Sequence, residues 1–333
     1  MRRAFTAATA AAAAGLLLTA SPARAQEVLF TLPAGLTEVS GTATGASGAL
    51  WVHEDSGSDP VLTALDPVTG AVRGAYDLGV DARDWEDMAA GPDGTLYVAD
   101  VGDNSGTRER GVLVHVLPEP TGSGGAVAPA RSVRLTYEDG PRDAEALLVH
   151  PRTGQVLLVT KFAGLVFAAP QPFADGVLTR VGEVRPRGTG TDGGPGIGAA
   201  AQRLLTGGAV SPDGTRVALR TYTDAYVWDV PGDDLVAALQ GEPEVLPLPS
   251  TEQGEALAFT ADGTALVLTT EGASAPVHRV ALPVEEQGGP PAGPGRAAPG
   301  APRETLPLGL AVGTVAVTLV VTVGALRWRH RRR

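Results

Sequence analysis

The chain has 333 residues, and 37 acidic against 26 basic side chains give a formal net charge of −11. Eight basic residues sit at the ends (Arg2, Arg3, Arg24, Arg327, Arg329, Arg331, Arg332 and Arg333), which leaves 18 basic against 37 acidic between them, a net of −19. So acidic a middle excludes nucleic acid as a partner, because that binding needs a basic footprint, and the absence of Cys excludes disulfides, thiol nucleophiles and Cys-ligated metals.

In chain order, residues 1–25 run from Arg2 and Arg3 through an Ala- and Leu-rich stretch to Ala23, Arg24 and Ala25. This is the order of a secretory signal peptide cleaved after Ala25, with an uncleaved N-terminal anchor as the alternative. Residues 26–283 are expected to form the soluble domain. With 44 Gly, 27 Pro and 5% aromatic residues, its composition suits a turn-dense β protein. Residues 284–305 are rich in Pro, Gly and Ala and read as an extended linker. Residues 306–326 are 21 uncharged positions, roughly 31 Å as a helix, enough to span a bilayer. The basic tail at 327–333 places the preceding chain outside the cell by the positive-inside rule. The expected topology is a single-pass type I membrane protein with an extracytoplasmic domain.

Within 26–283 one pattern repeats five times: a short strand of small residues, a tight Gly turn, then a more apolar strand. The segments are SGTATGASGALWV, EDMAAGPDGTLYV, EALLVHPRTGQVLLV, TGGAVSPDGTRVAL and EALAFTADGTALVL. Their turn glycines, Gly48, Gly94, Gly154, Gly214 and Gly263, are spaced 46, 60, 60 and 49 apart. Each hairpin is followed by further strand candidates, so the unit is a four-stranded blade. The fifth unit supplies only three strands, while an orphan strand at 27–32 precedes the first. The economical reading is an all-β, five-bladed β-propeller closed by its N-terminal strand, which removes a free sheet edge. A β-sandwich, or a six-bladed ring with a degenerate blade in 171–205, are the alternatives.

Ser40, Glu86, Thr206 and Glu255 stand eight places before their turn Gly, and Glu145 stands nine before it in the third unit, whose HPRTG turn is one residue longer, so the five occupy equivalent points around one channel mouth. Three carboxylates aimed at one axis repel unless protonated or neutralised. A hard cation with six to eight oxygen ligands resolves that repulsion, which makes Ca²⁺ the expected cofactor. The other reading is a solvated channel in which these groups bond amides and water. The ends of the second strands bring Asp55, Asp100, Lys161, Arg220 and Glu271 to the same face, and Lys161 is the only lysine of the chain. Such a face suits metal-assisted hydrolysis of a phosphoester, ester or lactone, with Lys161 or Arg220 stabilising negative charge and Asp55 or Asp100 as base. A non-catalytic propeller that binds a small-molecule or cell-wall ligand has the same appearance. A monomer is expected. The G-x-G-x-x-G match at Gly188 lies in a Gly-rich loop without flanking strand and helix, so it gives no nucleotide site.

The motifs LWVHEDSGSDP, DWEDMAAGPDGTLYVADVGDN, DAEALLVHPRTGQVLLVTK, SPDGTRVALRTY and QGEALAF resemble a widespread group of exported bacterial β-propeller proteins of mostly unknown function. The stretch from Glu38 to Gly41 is also similar to phytase-like and esterase-like propellers. The Ser, Glu, Glu, Thr, Glu ring resembles the central calcium site of the five-bladed calcium-activated nucleotidases. These resemblances imply a propeller fold, export, a calcium site and, loosely, hydrolysis.

Overall fold

The computed structural model describes residues 26–55 and 59–283. The expected signal peptide, linker, span and basic tail lie outside the described residues, and among those described no helix is long and apolar enough to cross a membrane. The domain is all-β. It opens with β1 (Gln26–Thr31), followed by a first unit of β2 (Val39–Thr44), β3 (Leu50–Glu54), β4 (Val61–Leu65) and β5 (Val72–Asp77). The second unit is β6 (Trp85–Ala90), β7 (Thr95–Asp100), β8 (Val112–Pro118) and, after the short β9 (Gly124–Ala126), β10 (Arg131–Tyr137). The third is β11 (Ala144–Val149), β12 (Val156–Thr160), β13 (Leu165–Ala168) and β14 (Gly176–Glu183). In the fourth, β15 (Leu205–Val210), β16 (Arg216–Thr221) and β17 (Asp224–Asp229) lead through the short helix α1 (Leu235–Leu239) to β18 (Glu244–Pro247). Last come β19 (Gly254–Phe259), β20 (Ala265–Thr270) and β21 (Pro276–Ala281).

Each unit is an antiparallel meander, and the last is completed from the other end of the domain, because β1 pairs antiparallel with β21. The first hairpin of every unit turns on a glycine with positive φ, 77° at Gly48, 70° at Gly94, 66° at Gly154, 70° at Gly214 and 68° at Gly263. Nothing lies within 4 Å of where a Cβ at Gly48 would stand, so the backbone conformation, not crowding, asks for Gly there.

Strand side chains alternate faces, and both faces are apolar. On β12, Val156 and Leu158 enter a core shared with the second unit, whereas Leu157 and Val159 enter one shared with the fourth. Full burial of a side chain such as Leu158 contributes roughly 1.5–3 kcal/mol. Equivalent cores lie between the first and second units, between the fourth and fifth, and between the fifth and first. A row of five units has four junctions; a fifth junction joins its ends. The opening strands accordingly neighbour one another in the cyclic order β2, β6, β11, β15, β19.

Two features were not expected from the sequence. Residues 124–126 fall in a Gly-rich segment that reads as a surface loop, yet β9 pairs parallel with β5. The outer strands β10 and β14 also pair in parallel, fusing the second and third units into one eight-stranded sheet. Both contacts cover strand edges that would otherwise offer unpaired backbone groups. Of residues 171–205, the alternative place for a degenerate blade, 176–183 form β14 of the third unit, 205 opens β15, and 184–204 contain no strand.

Candidate functional site

Ser40, Glu86, Glu145, Thr206 and Glu255 are each the second residue of their unit's opening strand. At each the ladder slips: β2 pairs through Val39 and Gly41, β6 through Trp85 and Asp87, β11 through Ala144 and Ala146, and β15 through Leu205 and Gly207, while β19 skips from Gly254 to Leu257. In β2, β6, β11 and β15 the ring residue is the surplus residue of a β-bulge, in β19 Glu255 and Ala256 share the slip, and bulges re-aim the side chain they displace. All five are between 0 and 4% exposed.

The ring is not chemically uniform. The Ser40 hydroxyl donates to Glu86 O at 2.9 Å and lies 3.3 Å from Glu86 Oε2, and the Thr206 hydroxyl donates to Gly254 O at 2.9 Å. These two groups tie neighbouring units together. The carboxylates gather elsewhere. Oxygens of Asp55, Asp84 and Glu86 lie within 4.8 Å of one another, and so do those of Glu86, Asp143 and Glu145, so Glu86 is common to both groups. A Cβ on Gly102 would collide with Glu86 Oε1 and stand 2.7 Å from Asp84 Oδ2, so this glycine leaves the room the carboxylates occupy.

Burial, followed by the charges of Glu145, Asp55 and Asp84, raises the Glu86 pKa well above the usual carboxylate range. Burial raises Glu145 as well, against the opposing effect of Lys161. Glu255 is pushed up to about 7, again by burial first, with Glu271 and Asp55 adding to it and Lys161 and Arg220 opposing. Burial likewise raises Glu271, whose carboxylate accepts from Gln253 Nε2 at 2.5 Å. Burial works to lower the Lys161 pKa, but the adjacent Glu145 carboxylate outweighs it and the ammonium is held above its ordinary value. Lys161 Nζ donates to Glu145 Oε1 at 2.6 Å.

The structure therefore brings Asp55, Lys161 and Glu271 to the ring, as their places at the ends of second strands suggest. Their backbone amides fix this: Asp55 N donates to Glu38 O, Lys161 N to Asp143 O and Glu271 N to Gln253 O. Asp100 and Arg220 have other engagements. Asp100 forms a buried ion pair with Arg108 and accepts from the amides of Arg83 and Asp84. Arg220 is turned into the junction with the fifth unit, where Nη1 donates to Ala256 O at 2.9 Å and Thr269 O at 3.2 Å.

Sequence reasoning passed over Asp84 and Asp143, which stand two places before ring residues. The signal was present as D-x-E in DWE and DAE, at the same offset from one another as the ring glutamates. It also passed over Asp87, fully buried, whose carboxylate accepts from the amides of Met88 at 2.8 Å, Leu147 at 2.8 Å and Gly208 at 3.1 Å. Asp87 thus binds the second, third and fourth units at once. Its counterparts in the other strands are Gly41, Ala146, Gly207 and Ala256, small enough to leave that space to one side chain.

No protein-family model and no curated protein matches the chain. Among solved structures it is similar to a gluconolactonase from Xanthomonas campestris, at 14% identity over 78% of this chain and 89% of that one, with a TM-score of 0.46. It is also similar to the PQQ-bound aldose sugar dehydrogenase from Streptomyces coelicolor, at 14% identity over 79% of this chain and 99% of that one, TM-score 0.41. A streptogramin B lyase aligns at 10% identity over 73% of this chain and 64% of that one, TM-score 0.37.

Proposed function

We propose that the chain is an exported, membrane-tethered, five-bladed β-propeller whose acidic mouth binds Ca²⁺ and, with it, hydrolyses a phosphoester, ester or lactone. The blade count rests on the five apolar junctions and on the pairing of β1 with β21. Export and tethering rest on the sequence of residues 1–25 and 306–333.

The single observation that carries the cation is Glu86, shared between two carboxylate groups. The orphaned buried oxygens Asp143 Oδ2 and Glu255 Oε2 support it, because a buried acceptor without a donor is what a cation satisfies. Asp55, Asp84 and Glu86, with Asp143 and Glu145, are the residues that would hold it. A bound divalent cation supplies polarisation of a carbonyl or phosphoryl oxygen and a more acidic water. Lys161 would stabilise negative charge on the substrate, and Glu271, which is outside the set that would hold the cation, would accept a proton. The engagement of Asp100 and Arg220 in the interior removes both from this set. It equally favours a second reading, a non-catalytic face that binds a small-molecule or cell-wall ligand.

The test is calorimetric titration of the purified protein with Ca²⁺, beside melting with and without chelator. Saturable heat that disappears in Glu86→Gln is expected; no heat and an unchanged melting curve would sink the cation reading. A screen of chromogenic phosphoesters, esters and lactones then separates the two functions. Turnover lost in Lys161→Ala supports hydrolysis, and Ca²⁺ binding with no turnover on any substrate supports the binding module.

A further inference from the structure

The channel has a second end, on the face of the turn glycines, and there it holds a pocket of about 250 Å³. The opening strands of the first, second, fourth and fifth units line it, and Pro151 of the third unit closes the remaining side. Thr42 and Met88 lie deepest, and Ala46, Pro212 and Ala261 form the rim. In a chain with 37 acidic residues, not one side chain lining this pocket bears a charge. The Asp87 carboxylate, bonded to the amides of Met88, Leu147 and Gly208, lies between the pocket and the acidic mouth.

The walls are uncharged but not apolar throughout, because each opening strand is the edge of its sheet. Near the turns, the amides of Gly45, Gly91, Ser211 and Thr260 donate within their own hairpins, to Ala49 O, Thr95 O, Arg216 O and Ala265 O. Antiparallel residues alternate in this respect, so the preceding Thr44, Ala90, Val210 and Phe259 turn their N–H and C=O groups to the channel. Two sets of bonds agree with this. Thr44 Oγ1 donates to Phe259 O at 2.7 Å, and the amides of Met88 and Gly208, two places deeper, donate to Asp87. Apart from Phe259 O, the four residues' channel-facing groups have no protein partner on that side among the described residues. Between them lies the C–H surface of Ala43, Ala89, Ala209 and Ala258. A hydrocarbon would strand the amides and carbonyls, and an ion would give up its water for a lining without a counter-charge. A sugar meets both demands: its hydroxyls reproduce the bonds that channel water makes, and its C–H faces lie against the alanines. A cavity of about 150 Å³ admits a benzene ring, so this one takes a single six-membered ring with its hydroxyls.

We propose that this end of the channel binds one neutral monosaccharide ring, held by the backbone N–H and C=O groups of Thr44, Ala90 and Val210 and by the Phe259 N–H. The site is separate from the acidic mouth and does not depend on what that mouth does. Saturation-transfer NMR on the full-length chain, with glucose, galactose and mannose in turn, should show transfer to the ring protons of at least one. Transfer should be weaker to gluconate, which adds a charge, and to benzyl alcohol, which lacks the rim of hydroxyls. Ala46 and Ala261 are exposed turn residues, so Ala46→Trp combined with Ala261→Trp narrows the entrance without touching the core. That variant should cut the transfer by at least half. Should it fail to fold, a crystal of the unaltered protein soaked in the same sugar decides the matter, with one ring expected in the pocket. Absence of transfer from all three sugars overturns the proposal, as does transfer that the double variant leaves unchanged. Equal transfer to gluconate or benzyl alcohol, or water alone in the soaked pocket, overturns it too.

Discussion

Lys161 Nζ lies 2.6 Å from Glu145 Oε1, which sets the only ammonium side chain of the molecule against the most enclosed of the three ring glutamates. The side chains are 16% and 2% exposed, so the pair is largely shielded from water. Removing one member of such a pair leaves an uncompensated buried charge and costs about 3–5 kcal/mol. Lys161→Met is therefore expected to lower stability by that amount in urea unfolding with chelator present. If Glu145 is a cation ligand, millimolar Ca²⁺ should return more stability to Lys161→Met than to the unaltered protein. An equal gain in both would separate Glu145 from the cation.

The mouth also makes stability depend on pH, with a sign fixed by burial. Glu255 has an ordinary pKa of 4.5 that the fold raises to about 7. The folded state then holds this proton more tightly than the unfolded chain. Its contribution is fully present below about pH 4.5 and is lost as the pH rises through 7, a change of about 3 kcal/mol. Glu255→Gln resembles the protonated form at every pH. It should match the unaltered protein near pH 4.5 and exceed it by about 3 kcal/mol at pH 8, both measured in chelator. His53 and His115, whose pKa values burial lowers, give stability the opposite slope below pH 6.5, but they are common to both proteins and cancel in the difference. A difference that does not vary with pH would contradict the assignment.

The ring was legible because its distance from each turn glycine is set by strand length, and strands count residues reliably. Glu86 and Glu145 could be placed together from Gly94 and Gly154 alone. The sequence did not show that each ring position lies in a bulge, since a surplus residue leaves no compositional trace. Asp84 and Asp143 were overlooked because they precede the strands, where offsets read as loop. The engagements of Asp100 and Arg220 were hidden for a different reason. The partner of Asp100 sits in the loop that follows β7, and Arg220 reaches a neighbouring unit through a gap that exists only because residue 254 is Gly. Contacts of this kind depend on how units are rotated against one another, which no local pattern records.

The ion pair between Asp100 and Arg108 gives a prediction that separates structure from catalysis. Both side chains are 3% exposed, and Arg108 Nη1 also donates to Asp100 O at 2.6 Å. Arg108→Ala should destabilise by about 3–5 kcal/mol, since it strands a buried carboxylate. Asp100→Asn should also lower the melting temperature, because it removes the counter-charge of a buried guanidinium. A base at the reacting centre would behave otherwise: Asp100→Asn would abolish turnover and leave the melting temperature where it was.

Asp87 is the most testable of the residues that the sequence did not reveal. Its carboxylate holds the amides of Met88, Leu147 and Gly208, one on each of the strands β6, β11 and β15. Asp87→Ala leaves three buried N–H groups without an acceptor and opens a void among residues too small to fill it. At about 1–3 kcal/mol for each unsatisfied donor, partly relieved if water enters, the loss should be about 3–6 kcal/mol in urea unfolding. Hydrogen exchange locates the effect. Protection should fall at Leu147 and Gly208, which lie 60 and 121 positions away in sequence, as much as at Met88. Faster exchange at Met88 alone would mean that the side chain serves its own strand and does not join the units.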